Sequence, residues 1–263
     1  MPGGMAQTVT GMGQPIVDNE KVQALLVILK ENGSPGCREF EELIGHISGM
    51  ERQLSDAMEE LQAIRQKMQD VQDRSLKAVL QKGCKAMEEN TDAMRQRLTE
   101  LKGQIVEECR NILADIKERG TVALNGIAHF LHLKPALEAV RAAAEDSIQA
   151  GDRAASRIDA FSREFHEAGR HLKNMGRSLR GEPAEAEAKE NGRIAGAFKG
   201  AFKVERAFAS AVSRKAELSL DALARLEQAA ERRPSVLAAM KEQAANTGPA
   251  KERQEPSRDK GSR

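Results

Sequence analysis

The chain has 263 residues, enough for one or two domains. Charged residues make up 31% and aromatics 3%, with no Trp and no Tyr, which argues against a thick globular core and for long helices rich in Ala, Leu, Glu, Lys, Arg and Gln. A net charge of +1 counts against binding nucleic acid by bulk charge.

Residues 1–16 are Gly- and Met-rich without periodicity and read as a disordered N-terminal tail. They lack the basic-then-apolar pattern of a signal peptide. Residues 17–33 predict a short helix, capped by Asp18 or Asn19, apolar at Val22, Leu25, Leu26 and Leu29, and ended by Gly33. Residues 36–120 then carry the strongest pattern in the chain. Phe40, Ile47, Leu54, Leu61 and Met68 form one heptad series; Leu43, Met50, Ala57, Ile64 and Val71 form the other. Ser75 takes an expected apolar slot, so a break is predicted near 73–75. A second run follows in Met87, Met94 and Leu101, with Leu98, Ile105 and Ile112 between. Two such helices fold back as a hairpin or pair between chains; periodicity does not choose.

Gly120, Gly126 and Pro135 punctuate the next stretch. Residues 121–133 predict a short apolar connecting helix at the bundle end. The uncharged run from Gly120 to Leu133 is too short to span a bilayer. It also lacks the basic face and aromatic anchors of an interfacial helix, which disfavours contact with a membrane surface. Residues 134–232 predict two long helices broken near 181–183. The first has a seam of Ile158, Phe161, Phe165, Ala168, Leu172, Met175 and Leu179, of which Phe161, Phe165, Leu172 and Met175 are expected to be buried. On that reading Phe165→Ala costs about 3–5 kcal/mol. The second carries Phe198, Phe202 and Phe208 among small residues, a composition suited to close helix packing. Residues 246–263 read as a disordered C-terminal tail. The fold class is therefore all-α: an elongated bundle of long helices with a coiled-coil hairpin and disordered termini.

Catalytic signals are few. "HEAGRH" approaches the zinc-protease motif, but His166 and His171 are five residues apart, which sets their rings roughly 140° apart on a helix. His129 and His132 have ligand spacing but no third ligand. Phosphate-loop, dinucleotide-fold, nucleophile-elbow and di-iron motifs do not occur. No enzyme, metal or cofactor is expected. Cys37, Cys84 and Cys109 form no CxxC pair, which fits small buried apolar residues in a reducing cytoplasm.

Charge is uneven along the chain. Residues 39–73 hold nine acids against three bases, 153–180 seven bases against three acids, and 189–215 seven against two. Arg170, Lys173, Arg177 and Arg180 recur at helical spacing opposite the expected seam. They are either a solvated face, a face turned to the acidic helix, or a site for phosphates or an acidic partner. With no Tyr or Trp, any nucleic-acid contact would be weak and to the backbone only.

"DNEKVQALLVILKENG", the heptad helix and above all "IDAFSREFHEAGRHLKNMGRSLRG" resemble an uncharacterised all-helical bacterial family associated with integrative and conjugative mobile elements of anaerobic Gram-positive gut bacteria. The likeness spans roughly 16–230. It implies a cytoplasmic accessory protein of a mobile element and transfers no functional residue. The expected function is a non-catalytic coiled-coil scaffold or interaction protein, binding itself or a protein partner. The alternative is a nucleic-acid-associated accessory factor using the basic face of 153–215.

Overall fold

A computed structural model describes residues 13–71, 74–120, 130, 132–178, 180, 183 and 193–231. Five α-helices account for most of them: α1 (Glu20–Glu31), α2 (Cys37–Gln69), α3 (Arg74–Arg119), α4 (Lys134–Ser178) and α5 (Arg193–Glu231). No strand occurs among the described residues. α3 alone, at 46 residues, is about 70 Å long, so the bundle is elongated.

The local signals act as the sequence predicts at the start of the chain. The side chain of Asn19 accepts hydrogen bonds from the backbone N–H groups of Lys21 and Val22, capping α1. Gly33 and Gly36 take φ of +54° and +97°, the left-handed region that lets the chain turn tightly into α2. Val22, Leu25 and Leu29 bury one face of α1. The ordered chain begins earlier than expected, however. Ile16 lies in a short 3-10 turn and is buried, rather than in a tail. Its N–H donates to Glu51 Oε2 at 3.1 Å, and Lys102 Nζ donates to Gln14 O at 2.9 Å. Glu51 and Lys102 also pair with each other, both buried. That clasp between α2 and α3 has no local sequence signature.

The four long helices form an up-down-up-down bundle. α2 and α3 pair as a hairpin within one chain. Arg65 pairs with Glu88, Arg95 reaches Met58 Sδ, and Glu51 pairs with Lys102. Each step is seven residues back on one helix and seven forward on the other, as a heptad register requires. Every residue of the two α2 series is buried except Met68, which is half-buried. The break falls between Gln69 and Arg74. α4 and α5 keep a second antiparallel register through Asp159–Lys199 (2.6 Å), Asp152–Arg206 (3.0 Å) and Arg141–Glu217 (3.1 Å). α5 closes the ring against α2, where Arg225 meets Glu42 at 2.6 Å.

Gly83 on α3 sets the closeness of three helices. A methyl group there would come within 3.1 Å of the Phe202 ring and 3.3 Å of the Ala154 methyl. At the α1 end, Phe40 packs against Phe130 with ring centroids 4.9 Å apart, and Leu133 is buried beside them. The rest of the predicted 121–133 helix lies outside the described residues, as do residues 1–12, the 246–263 tail and most of the 181–183 break.

The core has two parts. One apolar cluster runs from α1 up to Leu54, Met94, Ala144 and Ala209; the other runs from Leu61, Met87, Ala154 and Phe202 to the far end. Between them sits a polar layer. Thr91 Oγ1 donates to Glu205 Oε1 at 2.9 Å, and both residues are 1% exposed. Ser147 is buried one helix away, near the level of Gly151, whose missing side chain opens space beside Arg206.

Candidate functional site

α4 overhangs the helices that pack on it at its C-terminal end. Its buried positions run Leu137, Val140, Ala144, Ser147, Gly151, Ala154, Ile158 and Ser162, steps of three and four that track the seam to α3 and α5. α3 begins only at Arg74, and the neighbourhood of Gly83 with Ala154 places that start near α4 residue 163. α4 then continues to Ser178, about 24 Å further.

That length reverses the seam expected for 158–179. Ile158 is buried and Phe161 half-buried, but Phe165 is 57%, Leu172 66% and Met175 60% exposed. Ala168 is exposed too, and Leu179 lies outside the described side chains. These residues do share one face, as the heptad requires; the face outruns α3, so nothing described covers it. Among the described residues, the ring contacts of Phe165 run along its own helix, to Phe161 at 6.0 Å and His166 at 6.2 Å.

The predicted basic face is distributed differently from expectation. Arg170 and Arg177 are half-buried, whereas Lys173 and Arg180 are exposed. The Arg180 N–H caps the helix end by donating to Arg177 O at 2.9 Å. The basic residues of α5 that were grouped with them are partly committed within the chain, Lys199 to Asp159 and Arg206 to Asp152.

His166 is half-buried and His171 exposed on an unbroken helix, so the geometry that separates their rings holds. His132 lies 3.6 Å from Glu108, and His129 is outside the described residues. Among the described residues no group of three or more His, Cys, Asp or Glu comes together to hold a metal ion. A cleft of about 310 Å³ opens at the same end of the bundle, where α2 ends and α5 begins, lined by Ile64, Val71, Phe198 and Ala201 with Lys67 and Asp70.

Position disfavours the thiolate form of the three cysteines. Burial, reinforced by Glu88, pushes Cys84 up to about 11; burial, reinforced by Glu108, pushes Cys109 up to about 12. Cys37 is half-buried and raised by burial and then by Glu41. Iodoacetamide at neutral pH should therefore leave Cys84 and Cys109 unmodified in the native protein and alkylate both after denaturation, as read by mass spectrometry of peptides. Rapid native labelling of either would mean that the core opens.

A family of unknown function, DUF6674, has a model that matches residues 18–263. The chain belongs to this family. Comparison with curated proteins gives no match, and comparison with solved structures gives none. Family membership assigns no role to any residue. Among the described residues no helix is long and apolar enough to cross a membrane.

Proposed function

We propose that this protein is a non-catalytic helical interaction protein whose binding element is the exposed apolar face at the end of α4, and that it serves as a cytoplasmic accessory protein of a mobile element. One observation carries the reading: a heptad face that is packed up to Ser162 continues past the bundle with Phe165, Leu172 and Met175 in solvent. Large apolar side chains at heptad spacing on an exposed helix are costly to leave in water unless something docks on them. The buried thiols with raised pKa support a chain that does not rely on disulfides, which fits the cytoplasm. The mobile-element setting rests on the sequence resemblance alone.

The nucleic-acid alternative draws less support, because Lys199 and Arg206 already pair with carboxylates of α4. A filter-binding titration with single- and double-stranded DNA at low salt tests it, and saturable, salt-sensitive binding would favour it over the interaction reading.

The double variant Phe165→Ser, Leu172→Ser tests the preferred reading. Both sites are exposed, so its thermal midpoint should stay within a few degrees of the parent, a shift of about 0.5 kcal/mol or less per site. Chemical cross-linking and affinity capture in a host lysate should lose the protein contacts that the parent makes. Capture unchanged by the double variant would place binding elsewhere.

A further inference from the structure

We infer that the exposed apolar face at the end of α4 is covered by the same segment of a second copy, in an antiparallel two-helix crossing. This inference rests on the interaction reading above and names the occupant.

The sequence of the face is self-complementary. Phe165 and Leu172 occupy one heptad position, and Phe161, Ala168 and Met175 the other. An antiparallel pair brings one series against the other. The register that does so sets Phe165 of one copy against Met175 of the second copy, and Leu172 against Ala168 of the second copy. Each layer thus joins a large group to a smaller or more flexible one, and the thioether meets an aromatic ring. The same contacts repeat across the two-fold axis, as an isologous interface demands.

The flanks fit the same partner. Gly169 and Gly176 border the face, and a Cβ at either would meet nothing within 4 Å. In the antiparallel register Gly169 faces Gly169 of the second copy, so the backbones can approach closely with no side chain between them. Arg163 sits on the opposite side of the helix and is exposed, so its charge stays out of the crossing. A parallel pair would instead drive the two bundles into each other at one end. The antiparallel pair puts them at opposite ends, with each α4 end filling the space beyond the start of the other copy's bundle.

The interface also continues one already built. Up to Ser162 the α3-facing side of α4 is covered by α3; from about 163 onward the second copy's α4 would take the same place. A pairing of little more than four turns per helix is short, so the dimer should be reversible and concentration-dependent.

Sedimentation equilibrium of the full chain across a wide concentration range, with two engineered cysteine variants, tests the inference. The parent should pass from monomer to dimer, and Leu172→Asp should remain monomeric with an unchanged circular dichroism spectrum. Gly169→Cys should form a covalent dimer on mild oxidation, while Arg163→Cys should not. A parent that is monomeric throughout overturns the inference. So does a dimer that persists in Leu172→Asp, or a disulfide that forms equally from position 163. If the parent is monomeric yet Leu172→Asp still loses a captured lysate protein, the occupant is foreign and the interaction reading survives alone. If neither assay responds to Leu172→Asp, both fail.

Discussion

Glu51→Ala should lower the folding free energy by about 3–5 kcal/mol, the scale for removing one partner of a buried ion pair. Glu51 is 7% and Lys102 9% exposed, so the lysine would lose its carboxylate partner in a largely buried site. The loss reaches further than the pair. Glu51 Oε2 also accepts from the Ile16 N–H, which anchors the 3-10 turn ahead of α1. Without it Ile16 loses the hydrogen bond that holds it against α2. Urea unfolding followed by circular dichroism checks the figure, with the midpoint falling at constant slope. Lys102→Met is the informative companion. It removes the charge and keeps the aliphatic stem, so it should cost less in combination with Glu51→Leu than either change does alone. Full additivity of the two changes would show that the pair is not coupled.

The second large effect depends on pH. Glu205 is pushed up to about 7 from 4.5, first by burial, with Glu60 adding to the rise and the Thr91 hydrogen bond opposing it. Its carboxyl thus holds a proton more tightly in the folded protein than in the unfolded one. The stability it contributes is complete below about pH 4.5 and is lost as pH rises through about 7. Glu205→Gln imitates the protonated form at every pH. Near pH 4.5 the variant and the parent should unfold together. At pH 8 and above the variant should be the more stable, by roughly 3 kcal/mol from the size of the shift. Thermal unfolding of both proteins from pH 4.5 to 8.5 reads this directly. Parallel curves across that range would contradict a buried, proton-holding Glu205.

The polar layer around Glu205 separates two apolar clusters of the same bundle. A polar group inside a long heptad seam costs stability and fixes alignment, because a slipped register would bury it among apolar residues with no hydroxyl to meet. Thr91 is the group that identifies the native alignment of α3 with α5.

Much of this was legible in the sequence where the information is local. The heptads of α2 and α3, the Asn19 cap and the turn at Gly33 were readable because each depends on spacing or on one backbone angle. The intramolecular closure of the hairpin was not readable, since the same heptads serve pairing between chains. The α4 seam shows the limit most clearly. Phe165, Leu172 and Met175 have the same periodicity as Leu137, Val140 and Ala144, yet the first three are exposed and the last three buried. Periodicity states which residues share a face. Whether that face is covered depends on where α3 starts, which is a property of another element. Ile16 and Glu205 escaped for a related reason. One is ordered by Glu51 and the other by Thr91, partners 35 and 114 residues away. Without those partners, an Ile in a Gly-rich stretch reads as tail and a Glu among basic residues reads as surface.

The central claim is that the apolar face of α4 lies in two environments, packed to Ser162 and exposed beyond it. Hydrogen–deuterium exchange resolved along α4, in dilute monomeric protein, tests this most directly. Amides of 137–162 should exchange only with global unfolding, and those of 163–178 far faster, by local fraying of a helix whose apolar face is exposed. Equal protection along the whole of α4 would contradict the account.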